Sequence, residues 1–359
     1  MTPTHSSPHR LGARMAVVDL RPWLDGSDPA GVATAVDTAL RTVGFFLLVG
    51  HGVDAQLIAD TRRVYREFFA LPEVTKQQVR MPRLGLAGWA PMGMEANGYS
   101  FGHETPPDMK ESYRLGAHAL AGRLPLRGAN VWPEAPGEFR RLATAYLAEV
   151  DRVHMELLRV CAAAAGLDDL DHFARHARRN DNTLNVNWYA PTRVFGTGRP
   201  GQYRIGPHTD FGTLTVLHRE PGSAALQVQL PDGEWVEAPV LDGSFTINCG
   251  DMMAHWSGGR WRSAIHRIPA PGEAASGNDN DNDNEDLLSI VYFCEPDPET
   301  MIQPIGGGEV VNAGEYLHAK IAAITVPPNT MPTNTMPTNT VPPNTMPTNT
   351  MPTDSGTSG

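Results

Sequence analysis

Apolar positions along the chain recur at two spacings, and the spacing changes midway. Val32, Val36, Ala39, Leu40 and Val43 follow a helical period, with Asp28 placed to cap and Pro29 to open the first turn. A second helix is predicted over 54–70, carrying Leu57, Ile58, Val64, Phe68 and Phe69 and stopped by Leu71-Pro72. The strongest pattern runs from about 136 to 165, where Phe139, Leu142, Tyr146, Val150, Val153, Leu157 and Cys161 form one stripe. A shorter helix is expected over Leu170 to His176. Two apolar runs, 16–20 and 45–49, read as strands, and the stretch 80–130 is aperiodic apart from Gly88-Trp89 and Lys110–Tyr113. From Thr183 the period falls to two. Strands are predicted at 184–189, 214–217, 225–230, 235–237, 244–249 and 287–293, separated by Gly, Pro and Asp turns. The predicted architecture is α+β to mainly β: a helical first half, then an antiparallel sandwich or barrel supported by a long helix.

Three segments stand outside this pattern. Residues 1–14 are polar, with no apolar run of signal-peptide type, and are expected to be disordered. The Asn/Asp run 277–286 lacks a glycine and a terminal glutamate at the spacing of an EF-hand calcium loop and reads as a solvated hairpin tip. From 326 a five-residue Pro/Thr/Asn repeat runs to the end, too poor in apolar groups to pack a core. The expected organisation is thus 1–14, an N-terminal region 15–135, a core region 136–325 and a tail 326–359.

The formal charge of −11 argues against nucleic acid or an anionic membrane as partner. No stretch approaches the length of a transmembrane helix. Cys161, Cys249 and Cys294 are far apart and suggest buried thiols in a reducing cytoplasm rather than disulfides or zinc.

The candidate chemistry lies in Gly206-Pro207-His208-Thr209-Asp210-Phe211-Gly212. On an extended strand His208 and Asp210 would project to one side. His266, 56 positions beyond the aspartate, offers a third ligand. Two histidines and a carboxylate form the facial triad of non-haem Fe(II) oxygenases. His51, His154, His218 and His255 read as core or surface residues instead.

The blocks Gly44-Phe45-Phe46, Gly50-His51-Gly52-Val53, Lys110-Glu111-Ser112-Tyr113, Asn187-Trp188-Tyr189-Ala190-Pro191, His208-Thr209-Asp210, Asn248-Cys249-Gly250-Asp251 and Ser263-Ala264-Ile265-His266-Arg267 occur in order over about 15–305. In this the chain resembles the isopenicillin N synthase-like family of Fe(II)- and 2-oxoglutarate-dependent oxygenases. The resemblance implies a double-stranded β-helix (jelly roll) core, with iron held by His208, Asp210 and His266. It also implies 2-oxoglutarate and O2 as cosubstrates, with Tyr189, Ser289 and Asn187 at the 2-oxoglutarate site. Hydroxylation, desaturation or cyclisation of a small molecule of specialised metabolism would follow, in a cytoplasmic monomer or weak oligomer. Phe211 and Phe293 are expected to line the substrate pocket, and Arg114 to meet an acidic group there.

One departure bears on the cosubstrate. The family carries an arginine two residues before the serine of a late strand, and here Leu287 precedes Ser289. Losing a charge-assisted contact of roughly 1.5–3 kcal/mol would weaken 2-oxoglutarate binding about tenfold to hundredfold. Another cation, Arg204, Arg262 or Arg114, then supplies the grip. The alternatives are a 2-oxoglutarate-independent oxidase, in the manner of isopenicillin N synthase or aminocyclopropane carboxylate oxidase, and a non-enzymatic metal- or ligand-binding jelly roll.

Overall fold

Alternation along the strands, with both faces buried, organises the molecule. In β2 (Phe45–Val49), Phe46 and Leu48 pack in a core shared with the helices, while Phe45 and Leu47 join a second apolar cluster. The same division recurs in β12 (Leu287–Phe293): Leu288, Ile290 and Tyr292 lie in the first core, Leu287 in the second cluster. The computed structural model describes residues 15–101, 105–117, 129–178, 182–196, 198–220, 226–271 and 286–325. The polar N-terminus, all of the Asn/Asp run except Asp286, and the repeat tail lie outside the described residues.

Eight strands form the larger sheet, in the order β1-β2-β10-β7-β12-β5-β4-β3. Here β1 is Ala16–Asp19, β3 Gly88–Ala90, β4 Glu111–Gly116, β5 Thr183–Tyr189, β7 Leu214–His218 and β10 Phe245–Cys249. The smaller sheet runs β6-β11-β8-β9, from Ile205–His208, His266–Ile268, Gln227–Gln229 and Trp235–Glu237. The second apolar cluster draws on both sheets, with Phe45, Leu47 and Leu287 from the larger and Ile205, Val228 and Ile268 from the smaller. This is the jelly roll that the resemblance implied. The first half is less purely helical than its pattern suggested, because β1 to β4 extend the larger sheet at both edges.

Helices cover the outer face of the larger sheet. Phe139–Ala164 buries its whole predicted stripe, and Pro29–Thr42 and Ala55–Phe69 start on the side chains of Asp28 and Asp54. Only a 3-10 turn, Ala174–His176, forms where a helix was expected over Leu170 to His176. There Phe173 packs edge-on and His176 tilted against Trp256, at centroid distances of 5.0 and 5.5 Å, and tertiary packing overrides a weak local preference. A helix at Ala313–Ala323 is absent from the predicted elements, although Asn312 caps it by accepting from the Glu315 N–H. The three cysteines are buried free thiols. Among the described residues no helix is long and apolar enough to cross a membrane.

Helix Ala55–Phe69 is tied to the sheet by ions. Arg62 Nε donates to Glu220 Oε1 at 2.6 Å, Arg66 pairs with the same carboxylate, and Arg66 Nε reaches Asp286 Oδ2 at 3.1 Å. Burial pushes the Glu220 pKa up, but the two guanidinium groups outweigh it and bring it from 4.5 to about 2. An acid depressed in this way adds stability that is complete above its unfolded pKa and lost as pH falls through the folded one. Glu220→Gln is therefore expected to lower the urea midpoint at pH 7, with the gap to the parent protein narrowing steadily below pH 4.5; a pH-independent gap would remove this role.

Candidate active site

His208 and His266 face each other directly, because β6 and β11 pair with these residues in register. Their ring centroids are 4.2 Å apart. Asp210 does not share the strand with His208, as the alternation argument assumed. β6 ends at His208, and Asp210 lies in the loop that follows. That loop is held against helix Asp251–Trp256: the Asp251 N–H donates to the Asp210 carbonyl at 2.8 Å, and Gly250 N–H to Thr213 O at 2.8 Å. A Cβ on Gly250 would lie 2.3 Å from the Gly212 carbonyl oxygen, so the approach requires glycine there. This contact is how the Asn248–Asp251 block serves the site.

The result is one convergent ligand set. Asp210 Oδ1 is 3.7 Å from both His208 Nε2 and His266 Nε2. Among the described residues this is the only group of three or more His, Cys, Asp or Glu side chains that could hold a metal ion, its donor atoms all lying within 4.8 Å of one another. The remaining atoms of each ligand are occupied. His208 Nδ1 lies 2.8 Å from Gly206 O, and His266 Nδ1 lies 3.1 Å from Ala264 O. A carbonyl only accepts, so each Nδ1 carries the proton and each Nε2 presents a lone pair. Asp210 Oδ2 accepts from Thr215 Oγ1 at 2.5 Å and from Asn248 Nδ2 at 2.7 Å, leaving Oδ1 for a metal. Burial, and then the neighbouring His266, pull the His208 pKa down to about 4, so its imidazole is neutral and ready to ligate at neutral pH. The donor set fits a small divalent ion with open coordination positions. His51, His218 and His255 are engaged elsewhere, with Gly243 O, Arg62 and Glu309 O, and His154 is buried beside Asp151.

Two cavities meet at the triad. The inner one enters the jelly roll between its sheets, where Asn187, Tyr189, Leu287, Ser289 and Phe293 line it. Tyr189 Oη is 3.2 Å from Ser289 Oγ, and Asn187 Nδ2 is 3.5 Å from the same oxygen. The outer cavity is lined by Arg114, Asn187, Phe211 and Phe293 together with Glu95 and Lys110. Phe211, Phe293 and Arg114 thus line one cavity, and Asn187 and Phe293 border both.

The cations nominated for the cosubstrate do not converge. Arg204 is buried yet lines neither cavity, Arg262 donates to Gln229 O, and Arg114 lies on the outer cavity 3.9 Å from Glu95. The inner cavity instead contains Arg219, just beyond β7, which the sequence pattern does not single out. Its Nη2 donates to Pro239 O at 2.7 Å, and its Nε and Nη2 reach Thr246 Oγ1 at 3.3 and 3.2 Å. Burial pulls its pKa down to about 10, which leaves it charged at neutral pH.

Residues 15–135 match the family model described as non-haem dioxygenase in morphine synthesis N-terminal, and residues 180–296 the model of the 2OG-Fe(II) oxygenase superfamily. Validamycin A dioxygenase of Streptomyces hygroscopicus subsp. limoneus is 36% identical over 317 residues, 85% of this chain and 85% of that protein. The chain belongs to the 2-oxoglutarate- and Fe(II)-dependent oxygenases. A second relative of this oxygenase is homoarginine-6-hydroxylase 2-ODD-C23.2 of Arabidopsis thaliana, 30% identical over 265 residues, 71% of this chain and 72% of that one. A full-length Neurospora crassa protein, solved in complex with alpha-KG, superposes with a TM-score of 0.73 at 26% identity, over 86% of this chain and 96% of that one. The oxygenase is a dioxygenase that uses Fe(II), 2-oxoglutarate and O2 to oxidise a small molecule.

Proposed function

We propose that His208 Nε2, Asp210 Oδ1 and His266 Nε2 hold the iron, that 2-oxoglutarate occupies the inner cavity against Tyr189, Ser289 and Asn187, and that the substrate is a polar, donor-bearing small molecule bound in the outer cavity. The observation that carries this reading is that both cavities are bordered by His208 and Asp210, so two different molecules can reach one metal from two sides. Iron with 2-oxoglutarate and O2 supplies a two-electron oxidation of a substrate C–H bond, with succinate and CO2 as co-products.

The chain's own residues set the geometry. The Tyr189 and Ser289 hydroxyls offer donors to a carboxylate. Thr215 and Asn248 fix the Asp210 carboxylate, so only one oxygen turns towards the metal. Phe211 and Phe293, with Leu317 and Ile321 of the C-terminal helix, shield the outer cavity from water.

Two buried acceptors of that cavity, Glu95 Oε1 and Asn185 Oδ1, make no hydrogen bond. Leaving such atoms unmet is costly, and a ligand bringing hydroxyl or ammonium donors would satisfy them. Relatives named for validamycin A and homoarginine support a small polar substrate, in keeping with specialised metabolism. Three buried free thiols support a reducing, cytoplasmic setting.

The reading is tested by following succinate and O2 with Fe(II)-loaded enzyme against a panel of polyols and amines. Succinate formation is expected to require 2-oxoglutarate and to rise several-fold with a suitable donor-rich compound. Stimulation by apolar compounds alone would overturn the substrate assignment.

A further inference from the structure

The inner cavity is lined by a half-buried guanidinium, that of Arg219, which no carboxylate of the described residues meets directly. We propose that Arg219 binds the distal carboxylate of 2-oxoglutarate, replacing from a neighbouring strand the arginine that the family carries where this chain has Leu287. The proposal rests on the cosubstrate occupying the inner cavity.

Strand geometry brings Arg219 to that position. Thr215, Leu217 and Arg219 alternate along β7 and its end, and all three line the inner cavity. β7 pairs with β12 so that His218 lies opposite Ile290. One further pair places Arg219 beside Ser289 and diagonal to Leu287, on the same face. Diagonal neighbours on adjacent strands are about 7–8 Å apart, within the reach of a long side chain. A guanidinium moved from position 287 to 219 can therefore serve the same space beside Ser289 and Tyr189, and Leu287 fills the vacated volume with apolar contact.

Charge supports the same conclusion. Among the described residues no carboxylate lies within 4.0 Å of the Arg219 guanidinium, and its acceptors are the neutral Ala238 O, Pro239 O and Thr246 Oγ1. Glu237 acts on it only through space, and the adjacent Glu220 is already held by Arg62 and Arg66 on the helix side. A half-buried cation without a paired counter-ion bears part of its desolvation cost uncompensated, and a dicarboxylate entering the cavity would supply the partner. The neutral acceptors fix the plane of the guanidinium before the ligand arrives and leave an Nη1 donor to meet a carboxylate oxygen.

The test is anaerobic titration of the Fe(II)-loaded protein with 2-oxoglutarate, read by calorimetry and by the visible charge-transfer absorption of the chelate. Iron content and melting temperature are checked on every variant. Arg219→Gln is expected to bind 2-oxoglutarate about ten- to a hundredfold more weakly. It should bind 2-oxovalerate, which lacks the distal carboxylate, as well as the parent does. Adding Leu287→Arg to Arg219→Gln is expected to restore most of the 2-oxoglutarate affinity. Should Arg219→Gln not fold, Arg219→Lys carries the test, with several-fold weaker binding expected because the fork is lost. Unchanged 2-oxoglutarate affinity in a folded, iron-loaded Arg219 variant overturns the proposal, as does an equal loss for 2-oxovalerate. Failure of the parent protein itself to bind 2-oxoglutarate would instead overturn the reading of the inner cavity.

Discussion

Asp210→Ala is expected to yield a folded protein that retains no iron after reconstitution and consumes no oxygen. Asp210 supplies the only carboxylate of the convergent set, and its Oδ1 sits equidistant, at 3.7 Å, from the two imidazole nitrogens. Two neutral imidazoles alone leave a divalent ion without a charged ligand. The loop itself should survive, since it is held by backbone bonds from Asp251 and Gly250 rather than by the carboxylate. The cost to the fold is two unmet donors, Thr215 Oγ1 and Asn248 Nδ2, at roughly 1–3 kcal/mol each if water does not enter. Metal analysis, oxygen uptake and a melting curve separate the outcomes. Stoichiometric iron with parental turnover in the variant would remove Asp210 from the ligand set.

The largest expected loss of stability comes from Lys76→Met. Lys76 is buried, and its Nζ donates to Glu111 Oε2 at 2.7 Å and to Phe69 O at 3.1 Å. Trp89 Nε1 donates to the same carboxylate oxygen at 2.7 Å. Removing the cation strands a buried carboxylate, for which about 3–5 kcal/mol is typical. Burial already holds the Glu111 pKa above its ordinary value even with Lys76 present, so protonation offers the variant partial relief. The penalty should accordingly be greatest at neutral pH and shrink in mild acid. Urea unfolding at two pH values measures both; a loss below about 1 kcal/mol at pH 7 would contradict the account.

The sequence made one half of the site legible and hid the other for a physical reason. Metal-ligating side chains announce themselves by residue type, and the candidate ligands His208, Asp210 and His266 needed no register to be noticed, although the strand expected to carry Asp210 stops two residues earlier. The secure helices were those with long stripes, such as Phe139–Ala164, whose packing follows directly from periodicity. Leu170–His176 was too short for propensity to outweigh packing on Trp256. The signal for Ala313–Ala323 was present in Asn312 and Glu315, an N-cap followed three residues later by glutamate. Arg219 was invisible for a different reason. It is one of several unremarked arginines in the chain, and only the pairing of β7 with β12, 72 positions apart at His218 and Ile290, brings it beside Ser289. A nonlocal pairing of that kind has no signature in a linear pattern.

The two-sided burial of β12 has a consequence for how such a chain can change over time. Ile290 and Tyr292 pack in the core shared with the helices, Leu287, Ser289, Val291 and Phe293 line the inner cavity, and Leu288 touches both. Selection on folding and selection on chemistry therefore act on interleaved letters of one seven-residue word. Either set can drift while the other is held, so the pocket can be rewritten within a strand whose other face remains under constant constraint.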